Sequence, residues 1–291
     1  MTHDVKSDST GPKTSVVVIP TKNRLSSLQN ALNSLLRQTH KPDVVLVIDQ
    51  SDLNNYNSLS HFNLVNGMNL NYHYKPELLG LVEAKKYALD FCTNYEILFF
   101  IEDDVVLEEN YIYEGISAFL NNSNMIGCTG YDLNSQFGLL YSIFHKLLYS
   151  GDFSDSRPIL FYLTRLHLLQ KCVPTSSLSG GISAFRTDFL VKTGFDTENF
   201  FHFIEDKVIS FRLQKAFGYN CLYYNPKMKL VHNTLRSSDY LSRVRMIEKT
   251  VIECKLFYTV YLNKTLSNII HLNFIVFRFF IEINYLKIFK K

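Results

Sequence analysis

Apolar and polar positions change period several times along the first hundred residues. Ser15 to Pro20 is a short β-branched run closed by proline, the pattern of a parallel strand buried on both faces. Leu25, Leu28, Ala31, Leu32, Leu35 and Leu36 then recur at helical spacing, and Val44 to Ile48 forms a second strand ending at Asp49. Asn71 to Tyr74 reads as a third strand, Leu81 to Cys92 as a helix, and Glu96 to Ile101 as a fourth strand. Such alternation predicts an α/β fold: a mostly parallel, Rossmann-like central sheet with helices on both faces.

The second half is less regular. Phe137, Leu140, Phe144 and Leu147 mark an amphipathic helix, and Ile159 to Leu169 is a further apolar, aromatic stretch, so residues 137–173 read as an insertion. Order returns at Gly180-Gly181, a turn entering a strand through Arg186. A helix over Lys207 to Phe217, stopped by Gly218, and a strand ending at Val231-His232 follow. Phe200, Phe201 and Phe203 read as packing residues of the core or of an acceptor wall.

At 291 residues and 46% apolar composition, the chain suits one large domain with an appendage. Boundaries are expected at a polar lead over 1–13, a main domain over 14–235 and a helical tail over 236–291. Five scattered cysteines without C-x-x-C spacing fit reduced thiols, and Met1 to Lys13 has no signal-peptide stretch, so a cytoplasmic location is expected. The net charge of +3 is uneven. Tyr240 to Lys291 carries nine Lys or Arg against three Glu, a net +6, which leaves −3 for the rest.

The tail changes the picture further, because Ile269 to Phe289 is apolar and aromatic, interrupted by His271, Arg278 and Glu282. A central Arg counts against a membrane span, and basic residues mixed with aromatics suit an interfacial helix on an anionic membrane surface. The alternative is a helix packed on the core or on a second subunit.

The candidate chemistry starts with Glu102, Asp103 and Asp104, three successive carboxylates at the end of the buried run Phe99 to Ile101. A core does not tolerate such unpaired charge, so the cluster belongs at an exposed strand end, where it holds a cation or caps the next helix. In a parallel sheet, ligands bind beyond the carboxyl ends of the strands, and Pro20-Thr21, Asp49 and Glu102 to Asp104 all fall there. G-x-G-x-x-G is absent after the first strand, as is G-x-x-x-x-G-K-[ST], which disfavours nicotinamide cofactors and kinase or ATPase chemistry.

From about Ser15 to His232 the chain resembles the family 2 glycosyltransferases, nucleotide-sugar enzymes of the GT-A fold. The resemblance rests on Val-Val-Ile-Pro-Thr-Lys-Asn-Arg (17–24), Val-Ile-Asp-Gln-Ser (47–51), Phe-Ile-Glu-Asp-Asp-Val (100–105), Gly180-Gly181, Gly-Phe-Asp (194–196) and Glu205-Asp206. It implies a nucleotide-binding half over 14–105 and an acceptor-binding half over 106–235. Pro20, Thr21, Asn23, Arg24, Asp49, Lys85 and Asp103 would line the nucleotide pocket, Asp49 holding base or ribose and Lys85 standing where the family often has arginine.

Glu102 and Asp104 resemble the arms of the family's Asp-x-Asp motif, with glutamate replacing the first aspartate, and would hold Mg²⁺ or Mn²⁺ with His232. Gly180 and Gly181 would admit the donor sugar, Asp206 would be the general base and Glu205 would orient the acceptor. The resemblance thus implies inverting transfer from a UDP- or dTDP-linked sugar to a glycan hydroxyl. With the basic tail, it points to a lipid-linked acceptor in bacterial surface polysaccharide synthesis and to peripheral attachment at the inner face of the plasma membrane. No nucleic-acid partner is expected. A nucleotidyltransferase is the rival enzyme, although the Pro20 to Arg24 loop lacks the glycines it would need; a non-catalytic sugar- or lipid-binding relative is the other alternative.

Overall fold

The computed structural model describes residues 14–65, 68–149, 151–199, 201–233 and 240–289. The expected lead over 1–13, Phe200 and the last two lysines therefore lie outside the described residues. The strands are β1 Ser15–Thr21, β2 Val44–Asp49, β3 Leu70–Tyr74, β4 Ile97–Ile101, β5 Val105–Leu107, β6 Gly127–Asp132, β7 Val173–Pro174, β8 Ile182–Arg186 and β9 Leu222–His232. The helices are α1 Leu25–Leu36, α2 Tyr56–Leu59, α3 His61–Val65, α4 Leu81–Leu89, α5 Tyr111–Leu120, α6 Leu139–Leu148, α7 Arg157–Arg165, α8 Thr187–Thr193, α9 Glu205–Phe217, α10 Tyr240–Tyr261 and α11 Leu266–Phe289.

The strands form one sheet in the order β3-β2-β1-β4-β8-β6-β9-β5, with β7 paired to β9. The β3-β2-β1-β4 half is parallel, as is β6 with β9; β8 runs antiparallel to both β4 and β6, and β5 and β7 run antiparallel to β9. Strands β1, β2 and β4 are buried along their whole length, which is why they read as unbroken apolar runs rather than alternating ones. One core fills the face under α1 and α5, where Leu28, Leu32, Ile112 and Ile116 meet Val17, Phe99 and Met228. The opposite core sets Val82, Ala88, Leu190, Ile209 and Leu213 against Val16, Leu98 and Phe100.

Three strand ends differ by one residue from the sequence expectation, and two helix boundaries differ by more. Helix α4 ends at Leu89, because Phe91 and Cys92 donate to Ala88 and Leu89 in tighter turns instead of extending it. Helix α9 begins two residues early, at Glu205, directly after a turn whose amides are held by Glu253.

The 137–173 segment supplies α6 and α7. Helix α7 rests on the sheet through Phe161, which packs against Tyr131 and Tyr224, and Thr164 Oγ1 lies 2.8 Å from the Tyr224 hydroxyl. Helices α10 and α11 build a third core over α9: Cys254, Phe257, Leu262 and Ile275 close on Phe153, Phe201, Ile204, Val208 and Phe211. Fully burying a phenylalanine such as Phe257 is worth about 1.5–3 kcal/mol, so α10 is bound firmly to α9.

Residues Leu266–Asn284 of α11 have a mean hydropathy of 1.5 with 11% of the window buried, long and apolar enough by length and composition to cross a membrane. The expectation that Arg278 meets anionic lipid is corrected. Its guanidinium turns inward, donating to the Tyr149 hydroxyl at 2.9 Å and to the Tyr141 hydroxyl at 3.3 Å, and covers both rings.

Candidate active site

The sheet's strand directions explain how distant residues meet. Thr21, Asp49 and Glu102 follow the carboxyl ends of β1, β2 and β4 along one edge. Because β8 runs against β4, its beginning lies at that edge: Ile182 pairs with Ile101, and the Glu102 amide donates to the Gly181 carbonyl at 2.9 Å. The end of β9 arrives there too, with His232 opposite Val105.

Glu102, Asp104 and His232 each offer one ligand atom, and the three atoms lie within 4.8 Å of one another. His232 Nε2 is 3.0 Å from Glu102 Oε2 and 3.0 Å from Asp104 Oδ1. Burial disfavours the imidazolium, but hydrogen bonds to both carboxylates outweigh it and lift His232 to about 10. The Asp104 carboxyl, although half desolvated, is held below its usual range by His232 and Arg24. A positive charge therefore already has a bound position between these carboxylates; the two carboxylate oxygens are hard donors that suit Mg²⁺ or Mn²⁺, and the imidazole nitrogen, a borderline donor, favours Mn²⁺ of the two.

The expected nucleotide-side residues form a brace next to this triad. Asp103 is buried, which pushes its carboxyl up, while Thr21 and Arg24 pull it down: the Thr21 hydroxyl donates to Oδ2 at 2.7 Å and Arg24 Nη1 to Oδ1 at 3.1 Å. Arg24 also reaches Asp104 Oδ2 at 3.3 Å and leaves half of its side chain exposed at the mouth. Asn23 has φ +56°, which asparagine tolerates better than most residues, and its side chain exchanges two hydrogen bonds with Asp52. Pro20 stays within β1, paired with Ile48. Asp49 is fully buried, and its carboxylate accepts hydrogen bonds from Ser51 N, Asn55 Nδ2 and the Tyr72 hydroxyl. Three accepted bonds and full burial leave about one acceptor position of Asp49 for a nucleotide.

Lys85 is 1% exposed and points inward, donating to Glu205 Oε1 at 2.5 Å and to the Gly180 carbonyl at 2.9 Å. It thus anchors the acidic pair instead of standing free in the crevice. Burial raises the Glu205 carboxyl, with Lys85 pulling the other way, and Glu205 Oε2 is buried without a hydrogen-bond partner. The two glycines explain themselves here. A Cβ on Gly180 would lie 2.0 Å from Glu205 Oε1, and one on Gly181 would lie 2.1 Å from Glu102, so both carboxylates close on bare backbone.

Asp206 lies beside Glu205 at the start of α9, ion-paired through Oδ2 to Arg157 and accepting from the Lys207 amide at 2.7 Å. Arg157 is also gripped by Asp155 at 2.9 Å; burial opposes its charge, but the two carboxylates more than offset this. The turn leading into α9 is held by Glu253 of α10, which accepts from the amides of His202, Phe203 and Ile204 at 3.0, 2.7 and 3.1 Å. Sequence reasoning missed Arg157, Asp155 and Glu253. A proline after Arg157 marks a helix start, but nothing in the order of residues pairs it with Asp206, and Glu253 reads as one more acidic residue on a polar helix.

This crevice agrees with what the chain is similar to. The model of glycosyl transferase family 2 matches residues 16–193, more than half of the sequence. The chain belongs to glycosyl transferase family 2. No curated protein matches it significantly. Among solved structures, the family-2 chain is similar to a mannosyltransferase from Pyrobaculum calidifontis in complex with GDP-Man and Mn²⁺, at 15% identity over 94% of this chain and 76% of that one, TM-score 0.63. It is also similar to glucosyl-3-phosphoglycerate synthase from Mycobacterium tuberculosis in complex with phosphoglyceric acid, at 15% identity over 87% and 82%, TM-score 0.55. A third similar structure is GalNAc-T7 with UDP, GalNAc and Mn²⁺, at 12% identity over 86% and 55%, TM-score 0.57. At these identities the likeness is one of fold, and the fold is GT-A.

Proposed function

We propose that this family-2 protein is an inverting, Mg²⁺- or Mn²⁺-dependent glycosyltransferase. It transfers a sugar from a UDP- or dTDP-linked donor to a hydroxyl of a glycan acceptor in surface polysaccharide synthesis. The observation that supports this most is the pairing of the Glu102–Asp104–His232 triad with the Glu205–Asp206 pair across the bare backbone of Gly180 and Gly181. The metal ion, when bound by the triad, supplies positive charge to the departing diphosphate.

The chain's own groups do the rest. Arg24 meets the donor phosphates from the mouth, and the glycines leave room for the sugar. Asp206, oriented by Arg157, takes the proton of the acceptor hydroxyl as its oxygen bonds to the anomeric carbon. The bond from that carbon to the nucleoside diphosphate breaks, and its electrons leave with the diphosphate oxygen. One displacement gives inversion.

The test is a panel of nucleotide sugars, screened for thermal stabilisation with Mn²⁺ and with EDTA. A cognate donor at 100 times its dissociation constant adds about 2.7 kcal/mol. Failure of every donor to shift the melt in Mn²⁺, or an equal shift in EDTA, would overturn the reading.

A further inference from the structure

Beyond Asp206, α6, α9, α10, α11 and the turn before α7 enclose a second cavity of about 230 Å³. Its wall includes Asp206 itself, with Arg157, Lys207, Arg278 and His145. Arg157 is neutralised by Asp155 and Asp206, but the other two cations are not matched in this way. Lys207 Nζ donates to the Ser154 carbonyl at 2.5 Å and to Ser177 Oγ at 3.5 Å, and Arg278 spends its bonds on two phenol hydroxyls. Among the described residues, neither has a carboxylate oxygen within 4 Å.

A desolvated cation with no ion-pair partner of its own is costly, and at Lys207, which is half-buried, burial together with Arg157 brings the ammonium down to about 8 against the pull of Asp155, Asp206 and Asp152. A third polar group lacks its match. His145 is 7% exposed, and its Nδ1 is buried with no hydrogen-bond partner. The ring is stacked on Tyr149 at 4.2 Å, so it cannot easily turn away. Phe153, Phe203, Ile204, Phe257 and Phe279 supply the apolar part of the wall, while Asp155, already paired with Arg157, and Thr250 also line it.

We propose that this cavity holds a phosphate or diphosphate group of the acceptor, bound by Lys207, Arg278 and His145, with its hydroxyl-bearing end directed at Asp206. Cations and an imidazole N–H suit the oxygens of a phosphate, and the volume suits such a group. This rests on the glycosyl-transfer reading, since only that reading calls for an acceptor at Asp206. The phosphate could belong to a lipid carrier, whose chain would leave along the aromatic wall, or to a soluble phosphorylated acceptor.

The test is titration calorimetry on the full chain in EDTA, which removes metal-held binding at the donor site. The probes are inorganic pyrophosphate, farnesyl diphosphate and uncharged farnesol. Wild type should bind both diphosphates, and Lys207→Gln and Arg278→Gln should each weaken them at least ten-fold. Arg278→Lys, which keeps the charge, should remain within about three-fold, and melting curves confirm that each variant is folded. Farnesyl diphosphate binding at least ten-fold tighter than pyrophosphate assigns the site to a lipid carrier; equal binding assigns it to a soluble phosphorylated acceptor. Absence of diphosphate binding to wild type, unchanged affinity in both glutamine variants, or farnesol binding as tightly as farnesyl diphosphate would overturn the proposal. Mn²⁺-dependent UDP binding to wild type, titrated separately, tests the glycosyl-transfer reading, so failure of one is distinguishable from failure of the other.

Discussion

Glu253→Ala should be far more damaging than a substitution on a distal helix would ordinarily be. The carboxylate is 7% exposed and accepts from three successive amides that lead into α9. Hydrogen bonds to a charged acceptor contribute about 1.5–3 kcal/mol each, but one carboxylate shared among three donors gives less than their sum. Interaction with the helix dipole adds about 0.3–1 kcal/mol. A total near 3 kcal/mol follows, and at about 0.6 kcal/mol/K for a chain of this length it lowers Tm by roughly 5 °C. Glu253→Gln keeps one oxygen but turns an amide N–H₂ toward backbone donors, so it should lie between the two. Differential scanning calorimetry at neutral pH measures the shift. Turnover at 20 °C should fall as well, because Glu205 and Asp206 directly follow the turn that Glu253 holds. A Tm within about 1 °C of wild type, with unchanged turnover, would refute the argument that α10 holds the acidic pair in position.

Asp206→Asn preserves size and removes basicity, so turnover should drop about 10²-fold or more with donor affinity little changed; a near wild-type rate would move the base to Glu205. Gly181→Ala should displace Glu102, a partly exposed and flexible side chain, and weaken Mn²⁺ binding with little loss of Tm, whereas Gly180→Ala presses on buried Glu205 and should cost more stability; the reverse order in paired melts and metal titrations would contradict this geometry. His232, raised to about 10, contributes stability that is complete below the unfolded imidazole pKa and is lost as pH rises through 10. A metal ion must expel that proton, so calorimetry at pH 7.5 in buffers of different ionisation enthalpy should show about one proton released per Mg²⁺, and none released would remove His232 from the ligand set. Exposed apolar residues on α6 (Leu140, Phe144, Leu147), flanking Lys146 in sequence, and on α11 (Phe277, Phe280, Ile281) should drive salt-sensitive co-sedimentation with anionic vesicles, and a Phe144→Ser/Phe277→Ser/Phe280→Ser variant should lose it; equal partitioning of both forms would refute membrane contact through these residues.

The parallel half of the sheet was legible because a strand buried on both faces leaves an unbroken apolar run, as in Val16 to Ile19 and Leu98 to Ile101. The carboxylates after β4 were legible for the same reason: charge that abrupt against such a run must lie at an edge. The reversal of β8 was not. A five-residue strand reads alike in either direction, so the meeting of Gly181 with Glu102 became visible only from the pairing. Lys85 was placed in the nucleotide pocket by resemblance, and its grip on Glu205 was hidden because the two lie 120 residues apart. The inward turn of Arg278 was hidden in a similar way, since its partners Tyr149 and Tyr141 lie 129 and 137 residues away.

That reversal also bears on how the protein acquires activity. Residues 97–101 must find 182–186, and 127–132 must find 222–230, before the strand ends that carry Glu102, Gly181 and His232 can share an edge. Pairings this distant along the chain close slowly, because the entropy of the intervening loops is lost before any contact compensates. A half-folded chain with β1 to β4 assembled would hold the Arg24 and Asp103 brace yet have no triad and no acidic pair. If the triad holds a metal ion as proposed, recovery of metal binding during refolding should be a late event, reporting completion of the whole sheet and not of the nucleotide-side half.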